Sequence, residues 1–423
     1  GLVGFGDVYK RQIMRSANIR RDGYLKFLNT WQDRDVIKVL SGVRRSGKST
    51  LLAMFQQDLK AQGVQAENII AINFEFMEFE ELTDYRKLHD YVLSKVDKSK
   101  KNYVFLDEIQ HVTNFEKVVD SLYVRDYIDL YITGSNAFFL SGELATLLTG
   151  RYIEQHVLPL SFQEFKQWHI ENNPIIQQLS NRDLYAMYTH SSFPYTLAMT
   201  SQQETYDYLQ AVYASVMFKD VIPRLNTADI NSLERVARYL SSVTGSPISI
   251  NKIKNTFVSS GVKISFETVK RYIQGLQDSL LFYSAAQFKV RGRELLQSSE
   301  KYYLVDVGLR RIMLPDANAD QGHILENVIY LELVRRGYTV YVGRVDEYEI
   351  DFVAVDTLQN LTYYQVALET LNEETLSREL RPLQKISDSY PKYLLTLDTI
   401  GTEANYNGIV KMSALDWLLS ENK

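Results

Sequence analysis

Gly42-Val-Arg-Arg-Ser-Gly-Lys48-Ser49 decides how this chain is read. Two glycines with four residues between them, followed by Lys and Ser, is the spacing of a phosphate-binding loop. Val36-Ile-Lys-Val-Leu40 before it predicts a short buried strand, and Ser49-Thr50-Leu-Leu-Ala-Met-Phe55 after it predicts the start of a helix. Glycines let successive backbone N–H groups turn toward one anion, and the helix terminus adds positive potential at the same point. Gly42, Arg44, Arg45, Ser46, Gly47, Lys48, Ser49 and Thr50 are therefore the candidate ligands of a nucleotide triphosphate. Lys48 is expected at the β- and γ-phosphates and the Ser49 hydroxyl on magnesium.

Asn102-Tyr-Val-Phe-Leu-Asp107-Glu108-Ile-Gln110 follows about sixty residues later. Four apolar residues ending in two acids predict a buried parallel strand with both carboxylates at its C-terminal edge, where ligands of such sheets sit. Asp107 is the expected metal ligand, directly or through water, and Glu108 the expected base for the attacking water. A further strand, Leu130-Tyr-Ile-Thr133, runs into Gly134-Ser135-Asn136. That tripeptide suits an ordinary strand-to-helix turn, but at this strand tip Ser135 or Asn136 is expected to touch the γ-phosphate or position the water. Arg151, after Gly150, is a candidate charge for the phosphates of its own site or a neighbour's, and also reads as a plain surface arginine. Arg44 and Arg45 are alternatively structural partners of the acidic strand ends.

These motifs, with Leu-Thr-Gly-Arg and Pro159-Leu-Ser-Phe-Gln-Glu-Phe165, resemble in order a prokaryotic family of AAA-superfamily ATPases that carries a C-terminal domain of unknown function. The resemblance covers the chain from about residue 20. It implies ATP binding and hydrolysis with ATP and Mg2+ as ligand and cofactor.

The composition agrees with a multidomain α/β protein. The chain has 423 residues, 45% of them hydrophobic, and 29 tyrosines, which excludes a largely disordered chain. It has no cysteine, so disulfides and thiolate metal sites are excluded and a cytoplasmic location is expected. A net charge of −5 gives no chain-wide nucleic-acid signal. The uncharged run Leu184 to Gln203 is rich in Thr, Ser and Gln and holds Pro194, so no membrane span is expected. Gly4-Phe-Gly-Asp-Val-Tyr-Lys10 imitates a kinase glycine loop but lacks the rest of that family's motifs. Residues to about Gln12 resemble translated adapter sequence, with Met14 a candidate native start.

The expected organisation is an N-terminal segment 1–19, a P-loop parallel-sheet core 20–170, a helical lid 171–225, a winged helix-turn-helix 226–295 and a restriction-endonuclease-like α/β domain 296–423. Helical patterns through Leu233, Val236, Ala237 and Leu240, through Ile253 and Phe257, and through Val269, Ile273, Leu276 and Leu280 support the fourth of these, the winged helix-turn-helix. Eight basic residues and two acidic ones, Glu267 and Asp278, lie between Lys252 and Arg293. DNA contact through residues 252–293, led by Lys270 and Arg271, is one expectation; a solvated face on a packing module is the other. In the last domain Glu326 and Asp351 fit the first two acids of a nuclease site, but Gln365 and Ala367 replace the third acid and the lysine. The expectation is a nuclease-like fold without nuclease activity, unless Glu369 or Lys385 compensates. The rival functions are an ATP-gated regulatory or DNA-binding protein with slow hydrolysis, and an ATP-controlled nuclease. A protein partner or a homo-oligomer is also expected.

Overall fold

The computed structural model describes residues 19–137, 146, 148, 150–173, 177–314 and 320–421. The kinase-like loop, the adapter-like stretch and Met14 lie outside them, as does Thr149 of the Leu-Thr-Gly-Arg motif. The chain forms two compact units. One holds residues up to Pro159 with Phe193–Ala198 and Asp278–Leu280; the other holds Leu160–Ser192, Met199–Gln277 and everything from Leu281 on. No helix among the described residues is long and apolar enough to cross a membrane.

The first unit is built on five strands, β1 (Ile37–Ser41), β2 (Ile69–Asn73), β3 (Asn102–Asp107), β4 (Ile128–Gly134) and β5 (Tyr152–His156). They lie in the order β2-β3-β4-β1-β5, every pair parallel. Successive side chains of a strand point to opposite faces, and the central strands are apolar on both. Val104 and Leu106 join Ile37, Val39, Leu130 and Ile132 under the helices Tyr85–Lys95 and Phe115–Tyr123, through Leu88, Val92, Val118 and Leu122. Tyr103 and Phe105 join Leu40 and Tyr131 on the other face, under the helices Asp22–Trp31 and Lys48–Ala61, through Leu25, Leu28, Leu52 and Phe55. A sheet covered on both faces must place its ligands at the strand ends, because its faces are filled. β5 has no apolar run: all five of its residues are half-buried, as an edge strand requires.

Lys38 and Asp129 form a buried ion pair inside this sheet, with both side chains nearly excluded from solvent. Tyr131 donates its hydroxyl to the same carboxylate at 2.7 Å and the backbone N–H of Asp33 does so at 3.0 Å.

In the second unit, the helices Ile230–Ser242, Ile250–Ser259 and Phe266–Asp278 carry the three periodic patterns, except that the last ends before Leu280, which has φ 61°. They lead into a hairpin of β6 (Phe282–Lys289) and β7 (Glu294–Leu304). β6 also pairs in parallel with β8 (Thr339–Val345). The hairpin is thus one edge of an eight-stranded mixed sheet continued by β9 (Tyr348–Val355), β10 (Leu361–Ala367), β11 (Lys392–Thr396), β12 (Ala404–Tyr406) and β13 (Ile409–Ser413), in the order β12-β13-β11-β10-β9-β8-β6-β7. The division expected between 295 and 296 falls inside β7. Helix Gln321–Arg335 supplies Tyr330, stacked on Tyr303 at 4.3 Å, and helix Glu373–Gln384 covers the core around Val353, Tyr363 and Leu394 with Leu380 and Leu383.

Candidate active site

Three neighbouring strands of the first unit deliver their C-terminal ends to one place. β1 runs into the loop Gly42–Gly47, β3 ends at Asp107, and β4, between them, ends at Thr133 and Gly134. The loop's shape depends on its glycines. A Cβ on Gly42 would lie 2.3 Å from the Val157 carbonyl oxygen, so no side chain fits there. Gly47 has φ 105°, in the region that favours glycine, and precedes helix Lys48–Ala61, whose first N–H groups receive no side-chain cap.

Lys48 is buried. Its ammonium donates to the carbonyls of Gly42 at 2.8 Å and Val43 at 3.1 Å, and lies 3.6 Å from the Glu108 carboxylate. The Ser46 hydroxyl is buried without a partner in the loop. The Ser49 hydroxyl donates to Asp107, so the two expected metal ligands already meet. Thr50, half-buried, follows in the first helical turn. Arg44 is buried against Glu75, in the segment after β2, whereas Arg45 is exposed with φ 71°.

The two acids differ electrostatically although both are buried. Burial and the neighbouring Glu108 charge push Asp107 up to about 6. Burial also acts to raise Glu108, but Lys48 and Arg44 outweigh it and hold the carboxyl below its usual range. Glu108 has φ 59°, an unusual conformation for a residue with a side chain. Its N–H donates to the Thr133 hydroxyl at 2.9 Å, and that hydroxyl donates to Asp107 at 2.5 Å. One threonine therefore fixes both acids. Gln110 bridges the Glu108 carboxylate and the Ser135 hydroxyl, the latter at 3.0 Å. Asn136 follows, half-buried.

Arg151 is not brought to this place. It precedes β5, and its carbonyl accepts from Ile37 N–H at the start of β1. Val157, at the far end of the same strand pair, is level with the loop, so roughly 20 Å of strand intervenes. The guanidinium is tied instead to Asp120 at a half-exposed site.

Sequence reasoning did not single out Thr133, Gln110 or Arg21. Arg21, 2% exposed, donates to Ser46 O at 3.0 Å, Leu158 O at 2.8 Å and Pro159 O at 3.1 Å, and so braces the loop's outer carbonyl. Thr133 and Gln110 each lay within a quoted motif; Arg21, in a segment without a motif, gave no signal.

In the second unit, Glu326 and Asp351 do converge. Gln365 beside them accepts from Asp351 N–H at 3.3 Å and donates to Glu379 at 3.1 Å. Glu369 and Lys385 are exposed, and Lys385 lies over the Tyr348 ring. Lys301 of β7 and Glu349 of β9, neither singled out from the sequence, complete the cluster: the Lys301 ammonium is 3.1 Å from Glu326 and 2.7 Å from Glu349. Lys252, Lys263, Lys270 and Arg271 are exposed, while Arg291 pairs with Asp346 at 2.7 Å and Arg293 covers the Tyr390 ring. The basic window is therefore divided between the helices and the sheet hairpin.

A glycine loop between strand and helix, with two acids on the strand next but one, defines a P-loop ATPase of the AAA superfamily. Residues 34–166 match the family model described as an AAA domain, and residues 181–320 match a domain of unknown function, DUF8612. An uncharacterized protein of Haemophilus influenzae is 38% identical over 408 residues, covering 96% of this chain and 100% of that protein. The uncharacterized protein MJ1544 of Methanocaldococcus jannaschii is 30% identical over 369 residues, covering 82% and 78%. The chain belongs to one family with these two proteins, with an AAA-superfamily ATPase domain ahead of the DUF8612 domain. Among solved structures, similarity extends to the Walker-type ATPase PABY2304 of Pyrococcus abyssi (TM-score 0.49, 14% identity, 70% of this chain and 95% of that one) and to Cdc6p of Pyrobaculum aerophilum (0.31, 11%, 74% and 94%).

Proposed function

We propose that this chain is a magnesium-dependent ATPase whose hydrolytic site is the end of β1, β4 and β3. The observation that carries the reading is the meeting of Lys48, Ser49, Asp107 and Glu108 from two separate motifs at one strand edge. The backbone N–H groups of the loop and of the helix start cradle the β- and γ-phosphates, and Lys48 trades its loop carbonyls for phosphate oxygens. Ser49 and Asp107 hold Mg2+, which when bound supplies positive charge to the phosphate oxygens. The hydroxyl–carboxylate pair and the partnerless Ser46 hydroxyl fit such ligands. Glu108, kept ionised by Lys48 and Arg44, accepts the proton of the attacking water. Gln110, Ser135 and Asn136 orient that carboxylate and the water. Arg151, tied to Asp120 away from this edge, takes no part in the site of its own chain.

Glu108→Gln tests this reading. ATP binding is retained while hydrolysis falls by about 10²-fold or more; an unchanged rate contradicts the assignment of the base.

A second reading has the nucleotide state governing DNA contact by a winged helix. It draws on the exposed Lys252, Lys263, Lys270 and Arg271 of the helices Ile250–Ser259 and Phe266–Asp278 and their connection. The nuclease-like arrangement of the last strands is read as inactive, since Gln365 and Ala367 supply neither a charged ligand nor a lysine.

A further inference from the structure

The cluster around Lys301 has a geometry that neither the ATPase reading nor the DNA reading uses. Three carboxylates converge on one ammonium that is 2% exposed: Glu349 at 2.7 Å, Glu326 at 3.1 Å and Asp351 at 3.8 Å. Glu326 comes from helix Gln321–Arg335; Glu349 and Asp351 lie two residues apart on β9 and so share a face. The surrounding donors orient these acids. Tyr303 donates to Glu326 at 2.7 Å, Val366 N–H donates to Asp351 at 2.8 Å, and Arg344 lies 3.7 Å from Glu349.

Burial alone would discharge a lysine, yet Glu326, Asp351 and Glu349 hold this one above its ordinary range. Burial and the Glu326 charge together push Asp351 well up. Oxygens from three carboxylates around one point are a donor set that hard divalent cations also use. Among the described residues, however, no group of acids or histidines is arranged to hold a metal ion. Here the centre of the group is taken by the chain's own cation.

We propose that Lys301 is the resident cation of this cluster, that it excludes divalent metal from it, and that removing its charge turns the cluster into a divalent-cation site. Taking away one partner of a buried ion group leaves the others uncompensated, and a metal ion restores the balance.

The test is Mn2+ binding to the full chain without nucleotide, followed by the electron-paramagnetic signal of free Mn2+. The wild type is expected to show no saturable site that Asp351→Asn removes. Lys301→Met is expected to gain one such site, tighter than any wild-type binding by at least about tenfold, and to lose it again in Lys301→Met/Asp351→Asn. A folded Lys301→Met chain with no gain overturns the proposal. If Lys301→Met does not fold, the wild type decides. A saturable Mn2+ site, or Mn2+-dependent plasmid cleavage, that Asp351→Asn abolishes shows that metal enters beside Lys301 and overturns the proposal; its absence supports exclusion.

Discussion

The Lys48 ammonium lies 3.6 Å from the Glu108 carboxylate, with both side chains almost wholly shielded from solvent. Sixty residues separate them in the chain. They meet because β1 and β3 flank β4 in a parallel sheet and both strands end on the same edge. The pairing neutralises two buried charges, and it places the group expected to bind phosphate beside the group expected to activate water.

The electrostatics of Asp107 give a pH dependence. Its carboxyl is pushed up to about 6, above the ordinary 3.8, by burial and by Glu108. Metal binding requires the ionised form. The Mg2+ concentration for half-maximal hydrolysis is therefore expected to rise by about tenfold per pH unit below that value. The stability term has the opposite sense. Between 3.8 and about 6 the folded chain holds the proton that the unfolded chain has lost, so this group's contribution falls as pH rises. Thermal melts of the wild type and Asp107→Asn without nucleotide should accordingly diverge across that window, the variant gaining relative stability as pH increases.

Gly42→Ala should damage the loop before it damages the chemistry. The added Cβ meets the Val157 carbonyl oxygen at 2.3 Å, a backbone atom that cannot move alone. A loss of about 1–3 kcal/mol is expected, seen as an earlier denaturant midpoint together with weakened ATP binding.

The buried pair Lys38–Asp129 makes a prediction about stability without a role at the loop. Lys38→Met leaves Asp129 uncompensated and should cost about 3–5 kcal/mol. Lys38→Met/Asp129→Leu should recover much of this, because the pair and not either charge alone suits the interior. Urea unfolding of the single and double variants measures it.

If the second unit contacts DNA through its helices, Lys270→Ala and Arg271→Ala should each weaken binding uniformly across sequences. Each should also flatten the log–log salt dependence by about one unit. Binding that ignores salt excludes the phosphate contacts.

Much of this was legible in the sequence, for identifiable reasons. β3 is an apolar run buried on both faces, β1 and β4 are largely apolar apart from the paired Lys38 and Asp129, and the loop and the acids are local patterns, so composition and order sufficed. β5 escaped because it is an edge strand: Tyr152–His156 is half-buried throughout and carries no apolar run. Thr133 stood in a quoted motif, but its bonds to both Asp107 and Glu108 exist only across two strands. The same limit hid Lys301, a lysine in an ordinary strand until helix Gln321–Arg335 and β9 close around it. Arg151 shows the converse. A Gly-Arg pair reads alike at either end of a strand, and only the register of β1 with β5 puts it on the edge away from the loop.

The most direct test is ATP binding with Mg2+, comparing the wild-type chain with Lys48→Ala at equal fold content. Saturable binding by the wild type that falls by an order of magnitude or more in the variant is the predicted result. Equal affinity of the two, or a wild type that ignores ATP, contradicts a triphosphate site at the start of helix Lys48–Ala61.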